Sequence, residues 1–337
     1  LLFEAGAVGR KRMIAVDPEK QNTFQKMKVD SLFQRTFVRN GNLDLFLKYN
    51  TTALERPDRD TILFVHGYPD EHSTWDSQLH SLSKEFNVGA FDLRGAGNSS
   101  KPERQKDYNA RVVFQDFEAV IRFLGNGKPV HLVAHDWGAL LSWGFVGDLE
   151  YSKLILSYTA MGGPHPILAR NLMFRYFFSL SPRKIWISLK QSLKSWYILF
   201  FQIPWLPGFL ISKFTMLVWT YLMHEAEIPK GDPMRNFTRN EILKSAIYPI
   251  HLYRELIRGK KFPTPKRISV PVRLLIPIRD MAISPECYDS HERICDFLET
   301  TRVDSNHWIQ KEKPEFVSET IRNFVIRNSS RKNQNRR

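Results

Sequence analysis

The 337-residue sequence predicts an α/β domain on a mostly parallel central sheet, with a helical segment inserted before the sheet is complete. Three observations predict it. Short runs are nearly all apolar where alternation might be expected, helical periods separate those runs, and a long stretch after residue 163 shows helical periodicity without strands. Apolar runs lacking alternation are strands buried on both faces, which requires helices above and below the sheet.

Each element has its own reason. Alternation in 32–38 and 43–49 predicts an antiparallel pair turning at Asn40-Gly41-Asn42. Apolar strands follow at 61–65, 86–91, 130–133 and 154–158, with helical periods at 75–84, 110–124 and 139–149 between them. After Gly162-Gly163-Pro164 comes a hundred residues rich in Phe, Trp, Tyr, Leu and Lys, read as helical. The strand pattern resumes at 270–277, followed by a predicted helix at 285–294, a strand at 297–303 and a last helix at 314–325. The domains are therefore placed as a core at 31–163 and 264–326, a helical lid at 164–263, an N-terminal extension at 1–30 and a disordered basic tail at 327–337. An insertion at this point covers the carboxyl ends of the strands, where such sheets bind ligands.

Composition narrows the functional classes. With 42% hydrophobic and 13% aromatic residues the chain can bury a large core. Its two cysteines, Cys287 and Cys295, offer neither a disulfide framework nor metal-ligand spacing, which fits a reducing, cytoplasmic setting. Net charge is +14, from 49 basic and 35 acidic residues, concentrated at Arg10-Lys11-Arg12, in the middle third and after Val325. No nucleic-acid module accompanies that charge, so a solvated basic surface drawn to anionic lipid is the expectation, with peripheral membrane contact through the lid. The first residue is Leu1, so further residues are expected upstream, and nothing in the chain reads as a signal peptide or a spanning helix.

Four motifs at strand ends carry chemistry. His66-Gly67-Tyr68-Pro69 follows the strand ending at Val65, and Ala134-His135-Asp136-Trp137-Gly138 stands between a strand and a helix. Asp280 ends the resumed strand, and His307 lies in Ser305-Asn306-His307-Trp308 after the last strand. Strand, tight turn and helix make a nucleophile elbow, with Asp136 where esterases carry serine. An ionised carboxylate needs no base to attack carbon, whereas the bland alternative is an Asp that only caps a helix. The backbone N–H groups of Tyr68 and Trp137 would form an oxyanion hole. Nucleophile, acid, histidine is the chain order of the α/β-hydrolase triad. His66 and His135 read first as structural supports.

These motifs, with Asp92-Leu93-Arg94-Gly95-Ala96-Gly97-Asn98-Ser99, Gly163-Pro164-His165-Pro166 and the lid segment from Ser195 to Pro204, resemble the α/β-hydrolase-fold proteins of the epoxide hydrolase class. The resemblance runs from about Ser31 to about Val325. It implies that Asp136 forms an ester with the substrate, that Tyr197 and Tyr253 hold the epoxide oxygen, and that His307, oriented by Asp280, directs water onto the ester. The mostly hydrophobic lid implies a small lipophilic substrate, with His66, Pro69, Phe201 and Trp308 as candidate contacts, and nothing in the sequence suggests a metal or organic cofactor. Two departures stand out: Ala134 replaces the usual elbow glycine, and Asp280 follows Ile278-Arg279 without a glycine upstream. Hydrolase domains with Arg-Asp at this point, some fused to short-chain dehydrogenases, resemble the chain as well. A haloalkane dehalogenase-like hydrolase uses the same Asp and His, with Trp137 as one halide donor, but has no use for the lid tyrosines. A non-catalytic binding protein on the same fold is the remaining alternative. The sequence leaves the oligomeric state open.

Overall fold

The computed structural model describes residues 32–334 except Thr51 and Pro57, with side chains described to Ser329. The predicted extension at 1–30 and residues 335–337 lie outside the described residues. The chain opens with the antiparallel hairpin β1 (Phe33–Asn40) and β2 (Leu43–Asn50), in register from Phe33↔Asn50 to Asn40↔Leu43. Next come β3 (Thr61–Val65), α1 (Asp76–Leu82), β4 (Asn87–Phe91), α2 (Ala110–Leu124), β5 (Val130–His135), α3 (Trp137–Val146) and β6 (Ile155–Met161). The eight strands order as β1-β2-β4-β3-β5-β6-β7-β8, with β7 (Val272–Pro277) and β8 (Leu298–Val303) completing the sheet. From β4 onward all neighbours are parallel, while β1–β2 and β2–β4 are antiparallel.

The apolar runs are explained by burial on two sides. Leu63 and Val65 of β3 enter one core with Phe114, Phe117, Trp143 and Phe145 of α2 and α3. Ile62 and Phe64 enter the opposite core with Trp75, Leu79 and Leu82, and with Val317 and Ile321 of the last helix. A strand whose two faces both meet helices gains nothing from a polar alternate residue.

Between β6 and β7 stand seven helices: α4 (Pro166–Phe177), α5 (Pro182–Lys194), α6 (Trp196–Phe200), α7 (Leu206–Lys213), α8 (Thr215–Glu225), α9 (Arg239–Ala246) and α10 (Ile250–Arg258). Of these, α8, α9 and the segment between them share a small core in which Trp219, Met223, Ile228, Met234 and Ile242 meet Trp308 from the sheet side, while Ala169 of α4 and Leu252 and Tyr253 of α10 join the main core. Two segments on the C-terminal side of the lid depart from expectation. Residues 285–294 do not form an α-helix but two 3-10 turns, Pro285–Tyr288 and His291–Arg293. Tyr288, His291 and Ile294 recur every three residues and are all buried, which suits a three-residue turn. His291 also accepts the His165 backbone N–H at 2.7 Å, a contact that anchors the start of the lid. The expected tail is the second correction. After the short α11 (Ile309–Glu312), the last helix α12 runs from Pro314 to Gln334, eight residues past the predicted end of the core. Asn328 is buried and donates to Phe324 O at 2.8 Å, and the Ser329 hydroxyl lies 3.2 Å from His131 Nε2 on β5, so this turn is docked on the sheet.

One buried ion pair fixes the loop that follows β4. Arg94 donates to both Asp116 oxygens, at 2.6 and 2.7 Å, and to the backbone oxygens of Asp107 and Val112, while Asn40 adds a bond to Asp116 at 2.7 Å. Both side chains are almost completely enclosed. Removing one partner leaves a charge stranded in the core. Asp116→Ala is therefore expected to cost about 3–5 kcal/mol in urea unfolding, and the double variant Arg94→Met/Asp116→Leu distinctly less. Equal losses in the two variants would contradict this role.

Candidate active site

The elbow holds Asp136 in a conformation that few non-glycine residues adopt, with φ 48° and ψ −120°. Its side chain makes no capping bond to α3, so the helix-cap reading does not describe it. The carboxylate instead turns toward the end of β3, where Oδ1 accepts the Tyr68 backbone N–H at 2.7 Å. Close approach makes this possible. A Cβ on Gly67 would stand 2.3 Å from Asp136 Oδ1, and one on Gly138 would stand 2.5 Å from the His66 carbonyl. Ala134, where glycine is usual, is fully buried, and its methyl is accommodated in the core.

The imidazole of His307 lies between two carboxylates. Its Nδ1 is 2.8 Å from Asp280 Oδ2 and its Nε2 is 3.5 Å from Asp136 Oδ2. All three side chains are nearly enclosed. Burial alone would lower the His307 pKa, but the charge of Asp280 and the hydrogen bonds and charge of both carboxylates together raise it to about 10. Burial alone would likewise raise Asp136, yet the hydrogen bond and charge of His307 bring it below its ordinary value. At neutral pH the resting site is thus an imidazolium between two carboxylates.

Asp280 is fixed independently of the histidine. Its Oδ1 accepts the N–H groups of Ala282 at 2.7 Å and Ile283 at 3.0 Å. The missing upstream glycine is compensated by pairing, since Ile278 N and Arg279 N donate to the carbonyls of Val303 and Ser305. The Arg279 side chain then ties this strand end to Glu227, Asp304 and Glu312.

The lid brings two phenols over the same point. Tyr197 on α6 and Tyr253 on α10 meet edge to face with ring centroids 5.8 Å apart, and both feel the charge of Asp136. Burial first, then these neighbouring charges, push both phenols above their ordinary pKa, so they stay protonated. Arg254, next to Tyr253, donates to the carbonyls of Phe201 and Ile203 at the end of α6, and Gln202 donates back to Tyr253 O at 3.1 Å. That cross-tie sets the spacing of the two tyrosines.

Of the other expected residues, Phe201 stands edge-on to Tyr68, Tyr197 and Tyr253 and forms an aromatic wall. Pro69 follows a cis bond from Tyr68 and is half-buried beside the site. Trp137 opens α3 with its N–H in the first turn, where helical N–H groups lack a carbonyl partner within the helix, and its ring meets Tyr253 at 4.7 Å. His66 is corrected to a support. It is fully buried, with Nδ1 on Gly67 O and Nε2 accepting the Leu93 N–H at 2.9 Å, so neither nitrogen is free for a substrate. Trp308 is buried with its indole N–H on Asp70 at 3.0 Å and its ring edge against His307, and so braces the imidazole. His135 lies below the site and donates from Nε2 to the His307 carbonyl at 3.0 Å; burial pushes its pKa down to about 4, which keeps it neutral.

Three residues were invisible to motif reading. Asn306 Oδ1 accepts the N–H groups of His307 and Met281, joining the histidine and acid loops, and its adjacency to His307 was the only signal. Gln191 and Lys194 of α5 reach Ala282 O, Ser284 N and Asp280 O, so a lid helix holds the acid loop. Polar residues in a lysine-rich helix carry no mark of that task.

Comparison with known proteins agrees with this architecture. A family model described as alpha/beta hydrolase fold matches residues 60–187. Over 279 residues the chain is 26% identical to "Probable oxidoreductase EphD" of Mycobacterium tuberculosis and 28% identical to "Epoxide hydrolase 1" of Caenorhabditis elegans, covering 80% of this chain in each case. It spans 46% of the former and 65% of the latter. "Epoxide hydrolase 4" of Homo sapiens is 26% identical over 304 residues, with 86% of this chain and 78% of that protein covered. An inhibitor-bound epoxide hydrolase from Bacillus megaterium superposes with a TM-score of 0.69 at 23% identity, over 86% of this chain and 99% of that one. The chain is thus an α/β-hydrolase-fold protein, similar in sequence to the epoxide hydrolase class.

Proposed function

We propose that this protein hydrolyses small lipophilic epoxides to diols through a covalent ester on Asp136. The observation that supports the reading is the approach of His307 Nε2 to Asp136 Oδ2 at 3.5 Å, with two buried phenols, Tyr197 and Tyr253, near enough to feel the charge of that carboxylate. The sequence relatives named as epoxide hydrolases support the substrate class.

In the first step an Asp136 oxygen attacks one epoxide carbon and the carbon–oxygen bond of the ring breaks. The ring oxygen becomes an alkoxide that accepts hydrogen bonds, and then a proton, from the Tyr197–Tyr253 pair. A phenol with a raised pKa is a poor acid toward water, but an alkoxide is more basic than a phenolate. In the second step His307 takes a proton from water, and the resulting hydroxide adds to the ester carbonyl carbon. The N–H groups of Tyr68 and Trp137 stabilise the oxyanion, each worth roughly 3 kcal/mol in comparable sites. The tetrahedral intermediate then breaks its bond to the diol oxygen, which takes the proton of the added hydroxyl, so the diol leaves and Asp136 is a carboxylate again.

The resting charges explain how one histidine serves both steps. Before reaction His307 is an imidazolium, raised to about 10 mainly by two carboxylates, and cannot accept a proton. Esterification removes the negative charge of Asp136. One of the two groups holding the proton on His307 is gone, so its pKa falls, its proton passes to the tyrosine phenolate left by ring opening, and it becomes a base when a base is required.

Three outcomes test the scheme. His307→Gln should still react with a lipophilic epoxide and retain a stoichiometric adduct, read by intact mass spectrometry and mapped to Asp136, whereas Asp136→Ala should form none. Normal turnover by His307→Gln would contradict the scheme. Tyr197→Phe and Tyr253→Phe should each slow single-turnover ester formation, and the double variant should lose about 10²–10⁴-fold, with ester hydrolysis little changed. Finally, ester formation should fall as pH drops through the lowered Asp136 pKa, because only the carboxylate attacks. Ester hydrolysis should rise with pH with an apparent pKa below 10, because only neutral His307 accepts a proton. Stopped-flow measurement of the two steps separates these limbs, and a hydrolysis limb at 10 would contradict the charge argument.

A further inference from the structure

Helix α5 is built inside out. Its buried side chains are Ser188 and Gln191, hydrogen-bonded to Met173 O and to the acid loop, while Trp186 and Leu193 are 63% and 71% exposed. A helix beside water shows the reverse distribution. Helix α8 presents a related pattern: Thr215, Trp219 and Met223 are buried, and Phe214, Leu217, Val218 and Tyr221, spaced i, i+3, i+4, i+7, are exposed. The turns of this part of the lid point apolar tips outward. Leu180 is fully exposed between α4 and α5, and Trp205, at φ 49°, is 74% exposed at the start of α7. In all, 17 of the 26 exposed large apolar side chains among the described residues fall between Phe174 and Tyr221. Scattered exposed apolar residues are ordinary, but this concentration marks an interaction surface.

Charge selects the partner. From Glu150 to Glu225 the chain has no acidic residue between those two and eight Lys or Arg. Lys213 sits 5.4 Å above the Phe214 ring, and Lys184 sits 5.6 Å above Tyr176. Beside Trp186 a recess of about 400 Å³ is lined by Arg183 and Lys190, by Lys194 and Arg279 already engaged with the acid loop and with Glu227, Asp304 and Glu312, and by Asp280 and Glu286. Two copies meeting through this face would oppose like charges, which disfavours a self-complementary dimer. Aliphatic and aromatic tips among lysines and arginines suit the boundary between headgroups and acyl chains in an anionic leaflet.

We propose that the outer face of the lid docks in the plane of an anionic phospholipid bilayer, with its surface lysines, Lys184 and Lys213 among them, meeting headgroup phosphate. Crossing is a different matter. Among the described residues no single helix is long and apolar enough to span, and α7 and α8, which qualify only jointly, meet at 87°. Docking of this kind goes beyond the catalytic reading and does not depend on it.

Flotation of the full chain with vesicles of phosphatidylcholine alone, or mixed with phosphatidylserine, tests it. The protein should float with the mixed vesicles at least about tenfold better than with the neutral ones. Leu180→Glu/Leu217→Glu, which alters two exposed side chains away from the active site, should abolish most of that binding without changing the thermal unfolding midpoint. Lys184→Glu/Lys213→Glu should weaken binding to the mixed vesicles and provides the same reading if the first variant folds poorly. Because basic residues also occur at Arg10-Lys11-Arg12, flotation unaffected by both lid variants would overturn the proposal. So would absence of flotation, or a dimer in sedimentation that the lid variants dissociate.

Discussion

Everything in the site depends on placing one carboxylate charge in an enclosed, strained position and compensating it. Asp136 is 8% exposed at a positive φ, a combination that is unfavourable unless its surroundings over-determine it. The Tyr68 N–H, the His307 imidazolium and the close approach at Gly67 and Gly138 supply that determination. The same contacts keep the carboxylate ionised, as the proposed attack on carbon requires. In the proposed reaction Asp280 keeps His307 charged while Asp136 is charged and still orients the ring once the ester has formed.

Lid and core act as one machine. The lid contributes Tyr197 and Tyr253, and through Gln191 and Lys194 it also steadies the loop that carries Asp280. Tyr68 on the core donates its hydroxyl to Ala246 O at 3.0 Å, and Gly97 donates to Ser245 Oγ at 3.0 Å, so α9 is tied down at two points. Asn306 reaches Glu225 O at the end of α8. A shift of the lid would therefore disturb the triad geometry as well as the substrate walls.

The sequence made the sheet legible because its strands are buried on both sides and its helices are amphipathic, as α2 shows with Asn109 capping and Phe114, Phe117 and Ile121 inward. Asp136, His307 and Asp280 were legible from order and strand-end placement. For His66 the substrate contact that the resemblance implied gives way to the support that its neighbours suggested, because a motif does not tell which way a ring turns and both nitrogens meet backbone, at Gly67 O and the Leu93 N–H. The 285–294 segment has helical composition, but the burial of every third residue and the bond from His165 impose 3-10 turns. Gln191, Lys194 and Asn306 were silent because their roles arise from pairs of residues up to 93 positions apart in sequence.

The central claim is that the oxygen delivered to carbon comes from Asp136 and not from water. A single turnover in ¹⁸O-labelled water, with enzyme in excess over epoxide, tests it most directly. The account predicts an unlabelled diol and one ¹⁸O in the peptide containing Asp136. Label in the diol, with none in that peptide, would contradict it.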